Sequence, residues 1–283
     1  MSTFAWAKGH GTENDFVILP DADTRIHGDL DRDFVEALCH RRRGIGADGV
    51  LRVVRSTALG VDDGPVWFMD YRNADGSVSE MCGNGIRVFA AYLEREGLID
   101  GEDAVAIGTR DGVKTVAFEE DGTYTVDMGV PTTFGDTKVS VGERAWSAHH
   151  IETGNPHAVA FVGDLADAGP LTEEPGYDKG DYPAGVNVEF VVPRGERHVA
   201  MRVHERGSGE TRSCGTGACA VGVAAALRDG IEPSASGEPA TYRVDLPGGS
   251  LRITWRPDGR VSMNGPAEIV ADGDLAWHGV RMQ

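Results

Sequence analysis

The sequence predicts an α+β protein of two homologous lobes, each a mixed, mostly antiparallel sheet wrapped around one central buried helix. Two observations predict this fold. A Cys-Gly-polar-Gly pattern occurs twice, at Cys82 and at Cys214, and each copy precedes a long apolar run. Short segments rich in β-branched and aromatic residues surround both runs and are separated by Gly and Asp turns, which is typical of strands.

The two halves of the chain repeat four sequence blocks in the same order. "GTENDFVIL", which carries Asn14, corresponds to "TGNPHAVAF", which carries Asn155, and "ADGVLRVV" corresponds to "GVNVEFVV". "YRNADGSVSEMCGNG" then matches "VHERGSGETRSCGTG", and "VDMGVP" matches "SMNGPA". Four blocks at nearly constant spacing indicate an internal repeat with a pseudo-twofold axis. We therefore expect a first lobe at residues 1–130, joined by the C-terminal tail 266–283, and a second lobe at 131–265, with the active site in the cleft between them.

The individual elements follow from local patterns. In the first half, strands are predicted at "VLRVV", "VWFMDYR", "AVAIGT", "GVKTVAFEE" and "TYTVDMG". In the second half they are predicted at "HAVAFVG", "VNVEFVV", "HVAMRVHE", "TYRVDLP" and "GSLRITWR". The central helices are predicted from Asn84 to about residue 97 and from Thr216 to about residue 228. Both are apolar on most faces, and a helix that is apolar all round must be buried. "DRDFVEALCHRR" predicts a further, amphipathic helix.

Composition excludes several classes of function. The chain has 283 residues, of which 40% are hydrophobic and 25% charged, as in ordinary globular proteins. Its formal net charge of −18 argues against nucleic acid and against anionic membrane surfaces as partners. No signal peptide is visible at the start, and the longest near-apolar run is too short to span a bilayer. Four cysteines without a metal-ligand or disulfide spacing favour reduced thiols in the cytoplasm.

The position of the two cysteine patterns points to acid–base chemistry. Cys82 and Cys214 each stand just before the start of a buried helix, where the first N–H groups have no partner inside the helix and the dipole favours negative charge. The pKa of a thiol there can be lowered towards thiolate, and the bare backbone beside the glycines can hold a carboxylate. Two such thiols on opposite sides of one carbon would remove a proton from one face and return it to the other. No pyridoxal-type lysine motif is evident, so we expect no cofactor and no metal.

At this point the chain resembles the diaminopimelate epimerase family over nearly its whole length. The resemblance is carried by "HGTENDFV", "GIGADG", "NADGS", "EMCGNGIR", "GNPHAV", "GVNVEF" and "HERGSGETRSCGTGACA". It implies epimerisation of LL-diaminopimelate to meso-diaminopimelate, in the synthesis of lysine and of peptidoglycan precursors. Cys82 and Cys214 would exchange the roles of proton donor and acceptor. The reacting carboxylate would be held by the N–H groups of Gly83, Asn84, Gly215 and Thr216.

The resemblance also implies a set of polar residues for the second amino-acid end of the substrate: Asn14, Asn73, Asn155, Asn187 and Arg206. The guanidinium of Arg206 can bind a distal carboxylate with two hydrogen bonds. Glu205 can accept from an ammonium group and, together with His157, could tune the two thiols. Two pairs within the set, Asn14 with Asn155 and Asn73 with Glu205, occupy equivalent positions in the repeat, as expected for a polar site on a pseudo-twofold axis.

Two departures from the family bear on these expectations. Many members have Gln after "GIGAD", where this chain has Gly49, so a side-chain contact there is lost or replaced by water. Many members also have a tyrosine near the C-terminus that contributes to a dimer. The corresponding stretch here, "AEIVADGD", contains none, so the expected homodimer rests on the resemblance alone.

Several alternatives are weighed against this hypothesis. "GIGADG" matches a dinucleotide-binding pattern literally, but here a predicted helix precedes it and a strand follows, the reverse of what that site needs. A proline or hydroxyproline racemase also uses two cysteines, but that family usually has His where this chain has Asn84. A non-catalytic amino-acid-binding protein would not need both cysteines. Cys39 and Cys219 are predicted to lie in the core, where free cysteines are common.

Overall fold

A computed structural model describes residues 2–99 and 104–277 of the chain. By contacts they divide into two compact units. Unit 1 contains the described residues up to Val126 and those from Pro266 onward, and unit 2 contains Asp127–Gly265. Each unit is a mixed, mostly antiparallel sheet around one helix, so the predicted fold class is confirmed.

The sheet of unit 1 is built around a buried helix. Its strands are β1 (Ser2–Gly11), β2 (Asn14–Pro20), β3 (Gly49–Arg55), β4 (Trp67–Asn73), β5 (Ala104–Thr109), β6 (Gly112–Phe118) and β7 (Tyr124–Gly129). Strand β7 begins in unit 1, and its residues from Asp127 onward belong to unit 2. The helices are α1 (Arg32–Cys39) and the central α2 (Gly83–Arg95), and a 3₁₀ turn covers Ser56–Leu59. The pairs β1–β2, β3–β4, β5–β6 and β6–β7 are antiparallel, whereas β2–β3 and β4–β5 are parallel. Every residue of α2 from Gly83 to Leu93 is buried.

Unit 2 repeats this plan with more strands. They are β8 (Thr132–Val141), β9 (Arg144–Glu152), β10 (Pro156–Phe161), β11 (Gly176–Tyr177), β12 (Asn187–Gly195), β13 (His198–Glu205), β14 (Gly209–Thr211), β15 (Ala240–Leu246), β16 (Gly249–Trp255) and β17 (Val261–Gly265). The helices are the central α3 (Gly215–Arg228) and a short α4 (Pro233–Ser236), with a 3₁₀ turn at Leu165–Ala168. The pairs β10–β12 and β13–β15 are parallel, and the other pairs within the unit are antiparallel.

The last described strand, β18 (Glu268–Trp277), belongs to unit 1. It pairs antiparallel with β1 along almost its whole length, from Ser2 opposite Trp277 to His10 opposite Glu268. The strands predicted from sequence do not include this segment. "EIVADGDLAW" contains Gly and Asp, and in the structure its side chains are mostly exposed. Backbone pairing with β1, rather than burial of a face, therefore accounts for this element.

Small side chains let the sheet of unit 2 approach α3 closely. The helix sequence "GTGACAVGVAAALR" is rich in Gly and Ala, and almost all of these residues are buried. A Cβ atom on Gly222 would lie 2.6 Å from Cγ2 and 2.8 Å from Cβ of Ile253 on β16. The close packing between helix and strand therefore requires glycine at residue 222. This packing offsets the cost of glycine in a helix interior, which is about 1 kcal/mol relative to alanine.

We expect Gly222→Ala to lower the free energy of unfolding by about 1–3 kcal/mol, since overpacking outweighs the gain in helix propensity. Urea denaturation of Gly222→Ala, Ile253→Ala and the double variant measures this. The double variant should be no less stable than Ile253→Ala alone, because the new methyl group fills the space that Ile253 leaves. A Gly222→Ala protein as stable as the wild type would show that the helix and strand do not approach this closely.

Candidate active site

The two cysteines of the repeated pattern each cap the central helix of their unit. Cys82 has an extended backbone (φ −140°, ψ 121°), and its Sγ accepts the N–H of Gly85 at 3.4 Å. Cys214 has nearly the same backbone (φ −124°, ψ 111°), and its Sγ accepts the N–H of Gly217 at 3.4 Å. Each sulfur thus takes the position of the side-chain oxygen in an ordinary N-cap. The prediction that each cysteine stands at the start of a buried helix is confirmed.

Two asparagines surround the thiol of unit 1. Oδ1 of Asn14 lies 3.7 Å from Sγ of Cys82 and accepts from Nδ2 of Asn84 at 3.2 Å. Nδ2 of Asn14 donates to Asp48 at 2.9 Å, which fixes the orientation of this amide. The fully buried guanidinium of Arg87 fixes the side chain of Asn84 by donating to its Oδ1 at 3.0 Å. It also donates to the carbonyl of Gly83 at 3.2 Å. The structure therefore brings together Cys82, Asn14 and Asn84.

Asn73 lies outside this group. Its Oδ1 accepts from the hydroxyl of Tyr71 at 2.8 Å and its Nδ2 donates to Ser77 at 3.0 Å. In the described part of the chain these bonds, rather than any to Cys82 or Asn14, hold its side chain. Asn73 is paired across β3–β4 with Gly49. A Cβ at Gly49 would lie 2.6 Å from the carbonyl oxygen of Arg72, so this backbone has no room for a side chain such as glutamine.

Burial raises the pKa of the Cys214 thiol well above its usual value. The side chain is 5% exposed, and the negative charges of Glu205 and Glu189 add to the effect. Hydrogen bonds from Thr216, whose Oγ1 is 3.5 Å from Sγ, and from the N–H of Gly217 oppose it without overcoming it. The expectation that the helix start lowers this pKa is therefore wrong for Cys214, because desolvation outweighs the helix dipole. The raised pKa favours the protonated thiol of Cys214 at neutral pH.

His157 is held by a residue that sequence analysis missed. Its Nδ1 lies 2.6 Å from Oε1 of Glu189 and its Nε2 lies 2.9 Å from Oδ1 of Asn155. Both His157 and Glu189 are 0% exposed. The parallel register of β10 and β12 places His157 opposite Asn187, so Glu189, two residues further along, faces the same side of the sheet.

His157 thus pairs with Glu189, which the sequence analysis did not single out. Glu205, expected to tune the thiols together with His157, accepts a hydrogen bond from the hydroxyl of Thr211. A signal for Glu189 was present, because it is the one charged residue in the apolar run "VNVEFVV". Without the strand register, however, that run does not reveal a partner for the carboxyl group.

Asn187 and Arg206 lie together in unit 2. Oδ1 of Asn187 accepts the backbone N–H of Arg206 at 2.9 Å, and Nη1 of Arg206 donates to the carbonyl of Ala184 at 3.0 Å. Close to α3, the hydroxyl of Thr153 donates to the carbonyl of Thr216 at 2.9 Å. Unit 2 therefore brings Asn187 and Arg206 together, and it places Gly215 and Thr216 in the first turn of the helix that Cys214 caps.

Over residues 2–99 and 104–277, no group of three or more His, Cys, Asp or Glu side chains could hold a metal ion. Within the same ranges, no helix is long and apolar enough to cross a membrane.

Solved structures with this fold belong to a class that includes isomerases. A protein of the PhzF family from Bacillus anthracis matches with a TM-score of 0.71 at 14% identity, over 98% of this chain and 100% of that one. A hydroxyproline epimerase from Agrobacterium vitis, solved with trans-4-hydroxy-L-proline, matches with a TM-score of 0.68 at 15% identity, over 96% and 92% of the chains. At these identities the likeness concerns the fold alone.

Sequence comparison is more specific. The family model for diaminopimelate epimerase matches residues 6–134 and 149–270. The diaminopimelate epimerase of Streptomyces coelicolor is 60% identical over 98% of both chains, and that of Thermobifida fusca is 45% identical over 98% of this chain and 99% of its own. The chain belongs to the diaminopimelate epimerase family.

The raised pKa of Cys214 predicts how its thiol titrates. In a protein whose other three cysteines are replaced by alanine, thiolate absorbance should appear only well above the pH at which free cysteine ionises. Glu205→Gln removes one negative charge and should move the midpoint down. Glu210→Gln is a matched control on the same hairpin, because Glu210 pairs with Arg202 instead, and it should leave the midpoint in place. A midpoint at or below that of free cysteine would contradict this account of the thiol.

Proposed function

We propose that this isomerase converts LL-diaminopimelate to meso-diaminopimelate without a cofactor, with Cys82 and Cys214 as the two proton-transferring groups. The observation that carries the proposal is the capping of both central helices by a thiol in the same geometry. Capping leaves each sulfur beside the positive end of a helix and beside peptide N–H groups. A reaction that inverts a carbon needs one such group on each face.

The helix starts also supply stabilisation for the transition state. Removal of an α-proton builds negative charge on the adjacent carboxylate, and preorganised N–H donors stabilise such charge most strongly where water is excluded. The N–H groups of Gly83, Asn84, Gly215 and Thr216 are those we assign to this carboxylate. The first turns of both helices are buried or partly buried, which strengthens these interactions.

The protonation state of Cys214 assigns roles in the resting enzyme. Because the raised pKa favours the thiol form of Cys214, we assign Cys214 as the acid and Cys82 as the base in the conversion of LL-diaminopimelate to meso-diaminopimelate. In the reverse direction the roles are exchanged. Within unit 1, Oδ1 of Asn14 is within hydrogen-bonding reach of Sγ of Cys82, so it can accept a hydrogen bond from the Cys82 S–H when that sulfur is protonated.

We assign the second amino-acid end of the substrate to Asn14, Asn73, Asn155, Asn187, Glu205 and Arg206. Support comes from unit 2, where Asn187 fixes the backbone of Arg206 and the Ala184 carbonyl holds one edge of its guanidinium. The other donors of this planar group are suited to a carboxylate. Asn73 enters this set through family membership, since its side chain is held by Tyr71 and Ser77.

The wider setting follows from the same assignment. The product serves lysine synthesis and peptidoglycan precursors, and we place the enzyme in the cytoplasm, where four free thiols remain reduced. Assembly as a homodimer is part of the proposal and is tested directly by light scattering.

We expect Cys82→Ala and Cys214→Ala each to lower epimerisation of LL-diaminopimelate at least about 10²–10⁴-fold, because each removes one proton-transferring group. The assay follows stereochemistry without added cofactor. Cys39→Ala is the matched control, because burial raises the pKa of Cys39 to about 12 and its thiol has no role in the proposal. Near-normal turnover by either active-site variant would exclude a two-thiol mechanism. Wild-type enzyme that inverts L-proline as fast as diaminopimelate would favour a proline racemase.

A further inference from the structure

Glu189 is a buried acid for which the proposed mechanism has no use. It lies on β12 inside unit 2, is 0% exposed, and its Oε2 has no hydrogen-bond partner within the described residues. A Cβ atom on Gly217 would lie 2.7 Å from Oε1 of Glu189 and 3.2 Å from Sγ of Cys214. The carboxyl group therefore packs against the bare face of Gly217, in the helix turn that Cys214 caps.

These surroundings favour a protonated carboxyl group. Burial raises the pKa of Glu189, the neighbouring Glu205 adds to the rise, and His157 opposes it. An ionised carboxylate with one oxygen buried and unpaired is costly, because that oxygen loses its hydration without gaining a hydrogen bond. A neutral carboxylic acid avoids most of this cost and can still donate one hydrogen bond, from Oε1 to Nδ1 of His157 at 2.6 Å.

The hydrogen bond that Glu189 donates to Nδ1 of His157 determines whether the other ring nitrogen, Nε2, carries a proton. When Nδ1 accepts, the neutral imidazole carries its proton on Nε2. Nε2 lies 2.9 Å from Oδ1 of Asn155, so this proton is donated to that oxygen. The Asn155 amide is then held with its oxygen towards the histidine and its Nδ2 directed away. In the described chain this Nδ2 has no hydrogen-bond partner, and Asn155 is partly exposed.

The equivalent asparagine of unit 1 is held in the opposite sense. Asp48 accepts from Nδ2 of Asn14, which leaves its Oδ1 facing Cys82 and Asn84. The acceptor Asp48 therefore holds Asn14 through the amide nitrogen Nδ2. The donor His157, in contrast, holds Asn155 through the amide oxygen Oδ1. One amide presents an acceptor and the other presents an NH₂ group, although the two residues are equivalent in the repeat. This NH₂ group suits a carboxylate.

We infer that Glu189 is a positioning residue: it keeps His157 in the Nε2–H form and thereby fixes Asn155 as a hydrogen-bond donor to a substrate carboxylate. Glu189 acts through His157 and does not touch substrate. The inference rests on the proposed function for the identity of the substrate, but the state of the His157 ring does not depend on it.

The test compares Glu189→Gln, whose amide can replace the neutral donor, with Glu189→Leu, which removes it. Val188→Ala is the matched control, because Val188 is 0% exposed on the same strand and its truncation lowers stability without touching the histidine. Ring ¹⁵N chemical shifts of His157 report its protonation, and steady-state kinetics with LL-diaminopimelate report substrate binding.

We expect His157 to be protonated on Nε2 and bare at Nδ1 in the wild type, in Glu189→Gln and in Val188→Ala. Glu189→Leu should give a mixture of tautomers and raise KM about tenfold with a smaller change in kcat, because one oriented hydrogen bond to a charged group is lost. Glu189→Gln should restore most of the loss in KM. Such restoration would not follow if Glu189 only filled space.

Several results would overturn the inference. They are a His157 ring protonated at both nitrogens at neutral pH, a ring bare at Nε2, or a Glu189→Leu protein with unchanged ring signals. A wild-type protein that does not epimerise diaminopimelate would instead refute the proposed function, and the ring signals would still decide the role of Glu189.

Discussion

The rest of the site depends on one constraint, which is that the first N–H groups of each central helix need hydrogen-bond partners from outside the helix. A helix buried along its whole length cannot leave its first N–H groups without partners. In both units a cysteine sulfur supplies the cap, through bonds to Gly85 and Gly217. The cap requires small residues beside it, since a side chain at Gly217 would meet both Glu189 and Cys214. The thiol thus serves as a structural cap, and in the proposed mechanism the same thiol is the reactive group.

The two helix starts share a backbone but differ in electrostatics. Beneath the first turn of α2 lies the buried guanidinium of Arg87, bonded to Gly83 and Asn84. Against the first turn of α3 lies the buried carboxyl of Glu189. A cation favours negative charge nearby and a carboxyl group does not. Such a difference suits an enzyme whose resting state needs one base and one acid, although the sequence around the two cysteines is repeated.

Local pattern was sufficient to predict many of the strands and the two cysteine caps, but it missed β2, although Phe16–Leu19 on that strand are buried. It was not sufficient for side-chain contacts that depend on the pairing of strands distant in sequence. The pair His157–Glu189 exists because β10 and β12 run parallel in one particular register, and no local signal encodes that register. The pKa of Cys214 was predicted in the wrong direction because the helix dipole can be inferred from sequence, whereas the degree of burial cannot. Strand β18 was missed because pairing with β1, rather than hydrophobic alternation, holds it.

The most direct test of the central claim, two thiols acting on opposite faces of one carbon, is the fate of the transferred hydrogen. Unlabelled LL-diaminopimelate is incubated with enzyme in deuterated water, and both isomers are analysed by mass spectrometry after a small fraction has reacted. Two separate groups predict that the meso product carries deuterium at the inverted carbon while the remaining LL substrate does not. Product that retains its original hydrogen at that carbon would show that a single group transfers it, and would contradict the account.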